Sequence, residues 1–195
     1  MNTIDYYNAH AQQFSDTTLH LAFTEVQDRF LKYLPEQSHI LDFGCGAGRD
    51  TLYFLSKGYN VTATDGSKEI VKLAQRNARI PVRELLFTQL DETNAYDGIW
   101  ACSSILHCNG SDLKDVFARM QRALRDNGIL YVSFKYGTFE GERNGRFFHD
   151  MTEETFDMFL KDFPGFTVLE QWISHDIRPG RENEKWLNVI MKKAD

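Results

Sequence analysis

The 195-residue chain is predicted to adopt an α/β fold, a doubly wound parallel sheet with helices on both faces. Short apolar runs of strand length alternate with segments of helical periodicity over most of the sequence. The connections between these segments are short, and each of the four prolines falls between two of them. Alternation of this kind is typical of parallel strands linked by crossover helices.

The length and composition suit one domain with a substantial core, spanning residues 1–195. We divide it into an N-terminal helical segment (1–36), a central alternating core (37–135) and a C-terminal segment (136–195). The predicted helices are 3–14, 22–33, 49–57, 68–78, 112–125 and 153–161, and the predicted strands are 39–43, 60–64, 83–87, 97–102, 129–135, 165–173 and 185–192.

Turn residues mark several of these boundaries. Gly58 and Gly128 are each predicted to end the helix that precedes them. A polar turn around Pro179 and Gly180 joins the last two predicted strands, which indicates a hairpin.

The most informative stretch runs from His39 to Asp50, where a buried strand leads through a glycine turn into a helix. Glycine in such a turn lets the backbone approach a ligand closely and leaves free N–H groups at the helix start. About twenty residues later the next predicted strand ends in Asp65, and an acid at that position can bind both hydroxyls of a ribose. The spacing therefore predicts a nucleoside-binding βαβ unit.

The glycine spacing argues against a dinucleotide. The dinucleotide fingerprint has a third glycine five residues after the first, and that position holds Arg49. The turn is also preceded by Asp42, which would repel a pyrophosphate but can face a positively charged group.

The segment LDFGCGAGRD resembles motif I of the class I S-adenosylmethionine (SAM) methyltransferases. The resemblance continues through VTATD, YDGIWACSSILH and NGILYVSF, and it covers residues 37–135. It is nearest to the small-molecule, tellurite-resistance-like branch. It implies a Rossmann-like sheet of seven strands, mostly parallel and finished by an antiparallel C-terminal hairpin strand, with 1–36 as a helical lid, 37–135 as the cofactor-binding core and 136–195 on the substrate side.

The resemblance also implies the cofactor, SAM, with S-adenosylhomocysteine as the product, and the residues that hold it. The glycine turn would pass under the cofactor, Asp65 would bind the ribose, and the segment after the third strand would bind the adenine. The family usually has an acid where this chain has Gln89. The expected cofactor residues are Tyr7, Asp42, Gly44, Cys45, Gly46, Arg49, Asp65, Gly66, Gln89, Leu90, Asp91, Cys102 and Ser103.

His107 is the candidate catalytic residue, because it follows the fourth strand and imidazole suits general-base chemistry near neutral pH. A structural role is the alternative, since the family often has Leu-His at this position whatever the substrate. A base is needed only when the acceptor arrives protonated.

Acceptor contacts are expected in two segments after the fifth strand that are rich in arginine and aromatic residues. Together they suit an anionic or planar small molecule. A solvated loop whose arginines pair with nearby glutamates is the alternative. The candidate substrate residues are Tyr136, Arg143, Arg146, Phe147, Arg178, Arg181 and Trp186.

Composition restricts the other classes of function. The net charge of −6 argues against nucleic acid as a partner, and no apolar run approaches the length of a membrane span. The three cysteines form no CxxC pair, and the six histidines lack metal-ligand spacing, so no metal is expected. We expect a cytoplasmic protein; its oligomeric state cannot be inferred from the sequence.

Three functions are compatible with these features. We favour a SAM-dependent methyltransferase, a transferase acting on a small-molecule acceptor. A non-catalytic SAM-binding or regulatory protein of the same fold is the alternative. A nicotinamide-dependent oxidoreductase is disfavoured by Arg49 and by the lack of a recognisable hydride-transfer constellation.

Overall fold

A computed structural model describes residues 2–195 and contains a seven-stranded sheet beside a separate two-stranded one. The strands are β1 His39–Phe43, β2 Asn60–Asp65, β3 Val82–Glu84, β4 Tyr96–Ala101, β5 Leu124–Lys135, β6 Glu140–Arg143, β7 Arg146–His149, β8 Phe166–His175 and β9 Lys185–Lys193. The helices are α1 Thr3–Thr18, α2 Thr24–Leu31, α3 Arg49–Ser56, α4 Lys68–Ala78, α5 Gly110–Ala123 and α6 Glu153–Leu160.

The large sheet has the strand order β3-β2-β1-β4-β5-β9-β8. The pairs from β3 to β5 are parallel, and β9 runs antiparallel to both β5 and β8. The predicted fold class, a mostly parallel seven-stranded sheet with an antiparallel C-terminal strand, is confirmed.

Helices cover both faces of this sheet because its central strands are apolar on both sides, as buried parallel strands are. On one face, Leu41 and Ile99 pack with Phe117 of α5 in the larger core. On the other face, Ile40 and Trp100 pack with side chains of α2 and α3. Neighbouring residues of one strand therefore belong to different cores.

Most element boundaries lie within a few residues of their predicted positions. The helix predicted at 3–14 extends to Thr18, and Gly58 ends α3 with a left-handed φ of +86°, as predicted. Gly128 does not end α5. That helix stops at Ala123, because Leu124 is already extended at the start of β5, and the left-handed residue that follows is Asn127.

The segment 136–148, predicted as a loop, contains the hairpin of β6 and β7. Arg143 pairs with Arg146, so the turn consists of Asn144 and Gly145, both with positive φ. An Asn-Gly pair of this conformation is the strongest short-range signal for a two-residue hairpin. The strand predicted at 83–87 is only Val82–Glu84, because a 3-10 turn, Phe87–Gln89, takes the chain off the sheet edge.

Two glycines with the same φ test how much the glycine turn depends on close packing. Gly44 and Gly58 both have φ of +86°, but a Cβ on Gly44 would lie 2.5 Å from the Cβ of Ser104, whereas one on Gly58 would meet nothing within 4 Å. Gly58→Ala should cost about 1–2 kcal/mol of unfolding free energy, the cost of a left-handed alanine. Gly44→Ala should cost a further ~1–3 kcal/mol from overpacking. Urea unfolding measures both; equal losses would contradict this account of the turn.

Candidate functional site

The candidate site is a cavity of about 390 Å³ at the edge of the sheet where the parallel strands end. We call it the first cavity. Gly44 follows β1, Asp65 ends β2, Cys102 follows β4 and Lys135 ends β5, and all four line the cavity. Because β9 is antiparallel, its first residues reach the same edge and bring Trp186 into the lining. The topology therefore places the site at the carboxyl ends of the strands, as in other open α/β sheets.

The glycine turn is hydrogen-bonded to the end of β2. The N–H groups of Gly44 and Cys45 both donate to the carbonyl of Thr64, at 2.9 and 2.8 Å, and the Gly46 N–H donates to Asp65 Oδ2 at 3.1 Å. At Gly46 the turn has no room for a side chain, since a Cβ there would lie 2.9 Å from the ring of Phe14. The backbone of the turn itself therefore forms the cavity wall.

Asp65 combines backbone contacts with free acceptor capacity. Its Oδ1 accepts from the Ser67 N–H at 2.9 Å, and its Oδ2 accepts from Gly46. Desolvation raises the pKa of Asp65 to about 6, while these backbone N–H groups oppose the shift. A carboxylate has about four lone-pair directions, so two directions are left for a ligand.

Asp42 and Arg49 occupy positions that differ from expectation. Asp42 is buried beneath the turn, outside the cavity lining, and accepts from the Thr51 hydroxyl. Burial, with the nearby Asp50 charge, raises the pKa of Asp42 to about 8. Arg49 lines the cavity, but its guanidinium donates twice to Asp50, at 2.8 and 3.0 Å, and lies over the Phe23 ring.

Asp50 is a residue that sequence reasoning missed. Besides the two bonds from Arg49, this buried carboxylate accepts from Gln27 Nε2 at 2.7 Å and from Trp100 Nε1 at 2.8 Å. These four hydrogen bonds hold the pKa of Asp50 below its usual range despite burial. Its partners come from α2, α3 and β4 and follow no regular spacing in the sequence. Sequence patterns therefore could not predict these contacts.

The residues expected at the adenine position lie elsewhere. Gln89 accepts from the Leu86 N–H, Leu90 is fully buried in the core, and none of Gln89, Leu90 and Asp91 lines the cavity. The 3-10 turn at the end of β3 directs Gln89 back onto its own backbone. It presents Phe87 and Thr88 to the cavity instead.

The remaining expected cofactor residues are brought together at the cavity. Tyr7, Cys45, Gly66, Cys102 and Ser103 all line it. Ser103 has a left-handed φ of +52°, and its N–H donates to the Ser133 hydroxyl, which fixes the turn after β4.

Tyr7, His107 and Arg146 form a chain of hydrogen bonds beside the cavity. His107 Nδ1 lies 2.6 Å from the carbonyl oxygen of Phe147, an acceptor only, so Nδ1 carries the proton and Nε2 is free to accept. The Tyr7 hydroxyl lies 3.0 Å from that Nε2 and accepts from Arg146 at 3.4 Å. Burial lowers the pKa of His107 to about 4, which keeps the ring neutral at physiological pH.

The arginine-rich segments contribute unequally to the site. Arg146, Arg178, Arg181 and Trp186 line the first cavity. Tyr136 and Arg143 line an adjoining second cavity instead, also of about 390 Å³, and the Phe147 side chain lines neither. Phe147 contributes through its backbone, whose carbonyl orients His107 and whose N–H donates to Thr3 of α1.

The arginines pair with acids other than those expected from the sequence, except in one case. Arg178 donates to Asp176, Arg143 to Asp150, and only Arg181 pairs with one of the expected glutamates, Glu184. Sequence reasoning also left out Lys135, which lines the cavity. Its Nζ lies 5.2 Å from the centroid of the Trp186 ring.

The described part of the chain contains neither a membrane-spanning helix nor a cluster of metal ligands. Over residues 2–195, no helix is both long and apolar enough to cross a bilayer. Within the same residues, no three His, Cys, Asp or Glu side chains converge as ligands for a metal ion.

Comparison with known proteins shows similarity to methyltransferases over part of the chain. Residues 40–128 match the family model described as a methyltransferase domain. A relative from Bacillus subtilis, the putative methyltransferase YqeM, is 28% identical over 141 residues, which cover 66% of this chain and 57% of that protein. The chain thus spans little more than half the length of this curated relative.

Solved structures share the fold. The 1,6-didemethyltoxoflavin-N1-methyltransferase of Burkholderia thailandensis, with bound 1,6-didemethyltoxoflavin and S-adenosylhomocysteine, superposes with a TM-score of 0.77 at 23% identity, over 98% of this chain and 85% of that one. The [4+2]-cyclase SpnF superposes with a TM-score of 0.79 at 15% identity, over 98% and 94% of the two chains. The predicted resemblance to methyltransferases is confirmed for residues 40–128, and the solved structures show that the chain shares their fold.

The buried neutral state of His107 predicts a pH dependence of stability. Its folded-state pKa of about 4 lies below the ordinary value of 6.5, so the unfolded chain binds the extra proton between these values. The stability that neutral His107 supports is therefore complete above about pH 6.5 and is lost as the pH falls towards 4. Over this pH range His107→Gln should therefore lose less unfolding free energy than the wild type, by up to about 3 kcal/mol.

Urea unfolding at pH 7.0, 5.5 and 4.5 tests this prediction. Exposed His20, which is not part of the cavity lining, provides the matched control, His20→Gln. A wild-type and a His107→Gln curve that fall in parallel over this range would show that His107 is not held neutral.

Proposed function

We propose that this chain, which carries a methyltransferase domain over residues 40–128 and the class I methyltransferase fold, transfers a methyl group from SAM to a small-molecule acceptor. One observation carries the proposal: the glycine turn, which has no side chain at Gly44 and Gly46, and the acceptor oxygens of Asp65 border the same cavity at the carboxyl end of the sheet. S-Adenosylhomocysteine is then the product that must leave this cavity.

The residues present suit SAM. Asp65 has free lone pairs for the ribose hydroxyls, and Phe87 and Thr88, which line the cavity where Gln89 does not, would contact the adenine. Cys102 and Ser103 line the same cavity and would contact the methionine part. Asp50 is paired with Arg49, so the Asp65 carboxylate is the group of this pair of acids that favours a cationic ligand in the cavity.

Bound SAM supplies a methyl group already activated on a sulfonium, so the protein chiefly positions the acceptor and excludes water. α1, the predicted lid, carries Tyr7 over the cavity, and its Asn8 accepts from the Ser67 hydroxyl at 2.7 Å. An acceptor that arrives protonated gives its proton to the Tyr7 oxygen as the Tyr7 hydroxyl proton moves to His107 Nε2. His107 is thus the terminal base for such an acceptor.

An anionic acceptor suits the same cavity, whose lining also includes Lys135, Arg146, Arg178 and Arg181. Arginine recognises carboxylates and phosphates by paired hydrogen bonds, and Trp186 offers a face for a planar group. A metalloid oxyanion is the narrower possibility, and its support is confined to the sequence of the glycine turn.

A non-catalytic SAM-binding protein is the second candidate. A fold alone does not specify the reaction, as the similarity to SpnF, a cyclase with the same fold, illustrates, so cofactor binding without methyl transfer is compatible with this structure. The two candidates differ in turnover and share cofactor binding.

The cofactor is tested by calorimetric titration with SAM, S-adenosylhomocysteine and NAD. Asp65→Asn should weaken both SAM and S-adenosylhomocysteine binding by about tenfold or more, because a charge-assisted hydrogen-bond acceptor is lost. In the wild type the affinity should fall as the pH drops through about 6, where Asp65 takes up a proton. Asp91→Asn, which changes an acid outside the cavity lining, is the control. Binding of NAD with no response to SAM would overturn the proposal.

The reaction is tested by S-adenosylhomocysteine formation across pairs of candidate acceptors, each carboxylic acid beside its neutral amide. The acids should react with a kcat/KM about tenfold higher, and Arg178→Ala should raise their KM while the affinity for S-adenosylhomocysteine is kept. SAM binding without turnover of any acceptor would instead favour the non-catalytic candidate.

A further inference from the structure

The second cavity opens beside the first and shares part of its wall. Lys135, Arg146, Phe148 and Arg181 line both cavities. A ligand with its reacting atom in the first cavity can therefore extend a second group past these side chains.

The second cavity concentrates positive charge in an acidic protein. Five cationic side chains line it against two carboxylates, an excess of three positive charges in a chain whose net charge is −6. The cations are Lys135, Arg143, Arg146, Arg181 and Lys185, and the carboxylates are Asp150 and Glu184.

Both carboxylates are already engaged. Asp150 accepts from Arg143, and Glu184 pairs with Arg181 and with Lys135. Burial and the neighbouring guanidinium groups also lower the pKa of Lys135 to about 8, as expected for an ammonium surrounded by like charges.

Arg146 is left without an acidic partner among residues 2–195. Its guanidinium carbon lies 4.5 Å from the centroid of the Tyr6 ring and 5.1 Å from that of Phe148, which fixes its orientation. Its Nε is buried with no hydrogen-bond partner. A charged group with a buried, unpaired donor and no acidic partner is costly, and an oxyanion in the adjoining cavity would offset its charge.

Arg146 also links the second cavity to the reacting end of the first. Another nitrogen of the same guanidinium donates to the Tyr7 hydroxyl, which in turn bonds to His107. A group bound at Arg146 is therefore held at a defined position relative to the candidate base.

We propose that the second cavity binds an oxyanion group of the acceptor, a carboxylate or a phosphate, while the reacting atom of the acceptor lies in the first cavity. The proposal rests on the proposed methyl transfer, since it names a part of the methyl acceptor. Arg146 and Arg181 are the anchoring residues at the shared wall, and Lys185, which lines only the second cavity, completes the cationic site.

The test uses inorganic phosphate and acetate as probes of the full-length protein saturated with S-adenosylhomocysteine. Thermal melting at constant ionic strength, balanced with chloride, gives an apparent Kd for each probe, because a ligand of the folded state raises the melting temperature. At least one probe should bind the wild type. Arg146→Gln and Lys185→Gln should each weaken that binding, by about tenfold for Arg146→Gln.

Arg125→Gln is the matched control, because Arg125 pairs with Asp97 near the start of β4 and lines neither cavity. It should leave the probe affinity unchanged, as should any variant that alters net charge without touching the second cavity. Circular dichroism checks that each variant folds. If Arg146→Gln does not fold, the probe affinity of Lys185→Gln alone tests the proposal, because Lys185 is exposed and its substitution should not affect folding.

Each outcome bears on the proposal separately from the methyltransferase function. Failure of both probes to stabilise the wild type, or equal stabilisation of the wild type and Lys185→Gln, would overturn the oxyanion site. Calorimetric binding of S-adenosylhomocysteine, measured in the same preparations, reports on the cofactor site independently, and it should be unaffected by Lys185→Gln.

Discussion

The candidate site depends on the hydrogen bonds between the glycine turn and the end of β2. Two N–H groups of the turn share the Thr64 carbonyl, and a third binds Asp65, so the turn and the acid that faces the ligand are held as one unit. Close packing against Ser104 and Phe14 leaves no space for a Cβ at Gly44 or Gly46. The cavity shape and the Asp65 orientation therefore share one physical origin.

Charged side chains of both signs line the first cavity. Arg49 is largely neutralised by its two bonds to Asp50, whereas Asp65 keeps acceptor capacity for a ligand. The Arg146 guanidinium, which has no acidic partner among residues 2–195, contributes positive charge to the same lining. A ligand with a cationic part is favoured near Asp65 and a partner with an anionic part near Arg146, which would orient both before any reaction.

The Tyr7–His107–Arg146 chain couples three parts of the sequence that are far apart. Tyr7 comes from α1, His107 from the 3-10 turn after β4, and Arg146 from β7. Because Phe147 also fixes the tautomer of His107 and binds Thr3, the placement of α1 depends on the β6–β7 hairpin. Covering the cavity and positioning the candidate base are therefore parts of one hydrogen-bonded arrangement.

Local sequence determined the sheet, the glycine turn and Asp65, because strand periodicity and glycine spacing are properties of neighbouring residues; even the missed hairpin had a local signal in Asn144 and Gly145. Only the tertiary structure placed Phe87 and Thr88 at the cavity in place of Gln89 and buried Asp42 outside it. The same holds for the four bonds to Asp50 and for the unpaired Nε of Arg146. The physical reason is that charge pairing and burial are set by the distance between side chains in the folded protein, and these partners are separated by many residues in the chain.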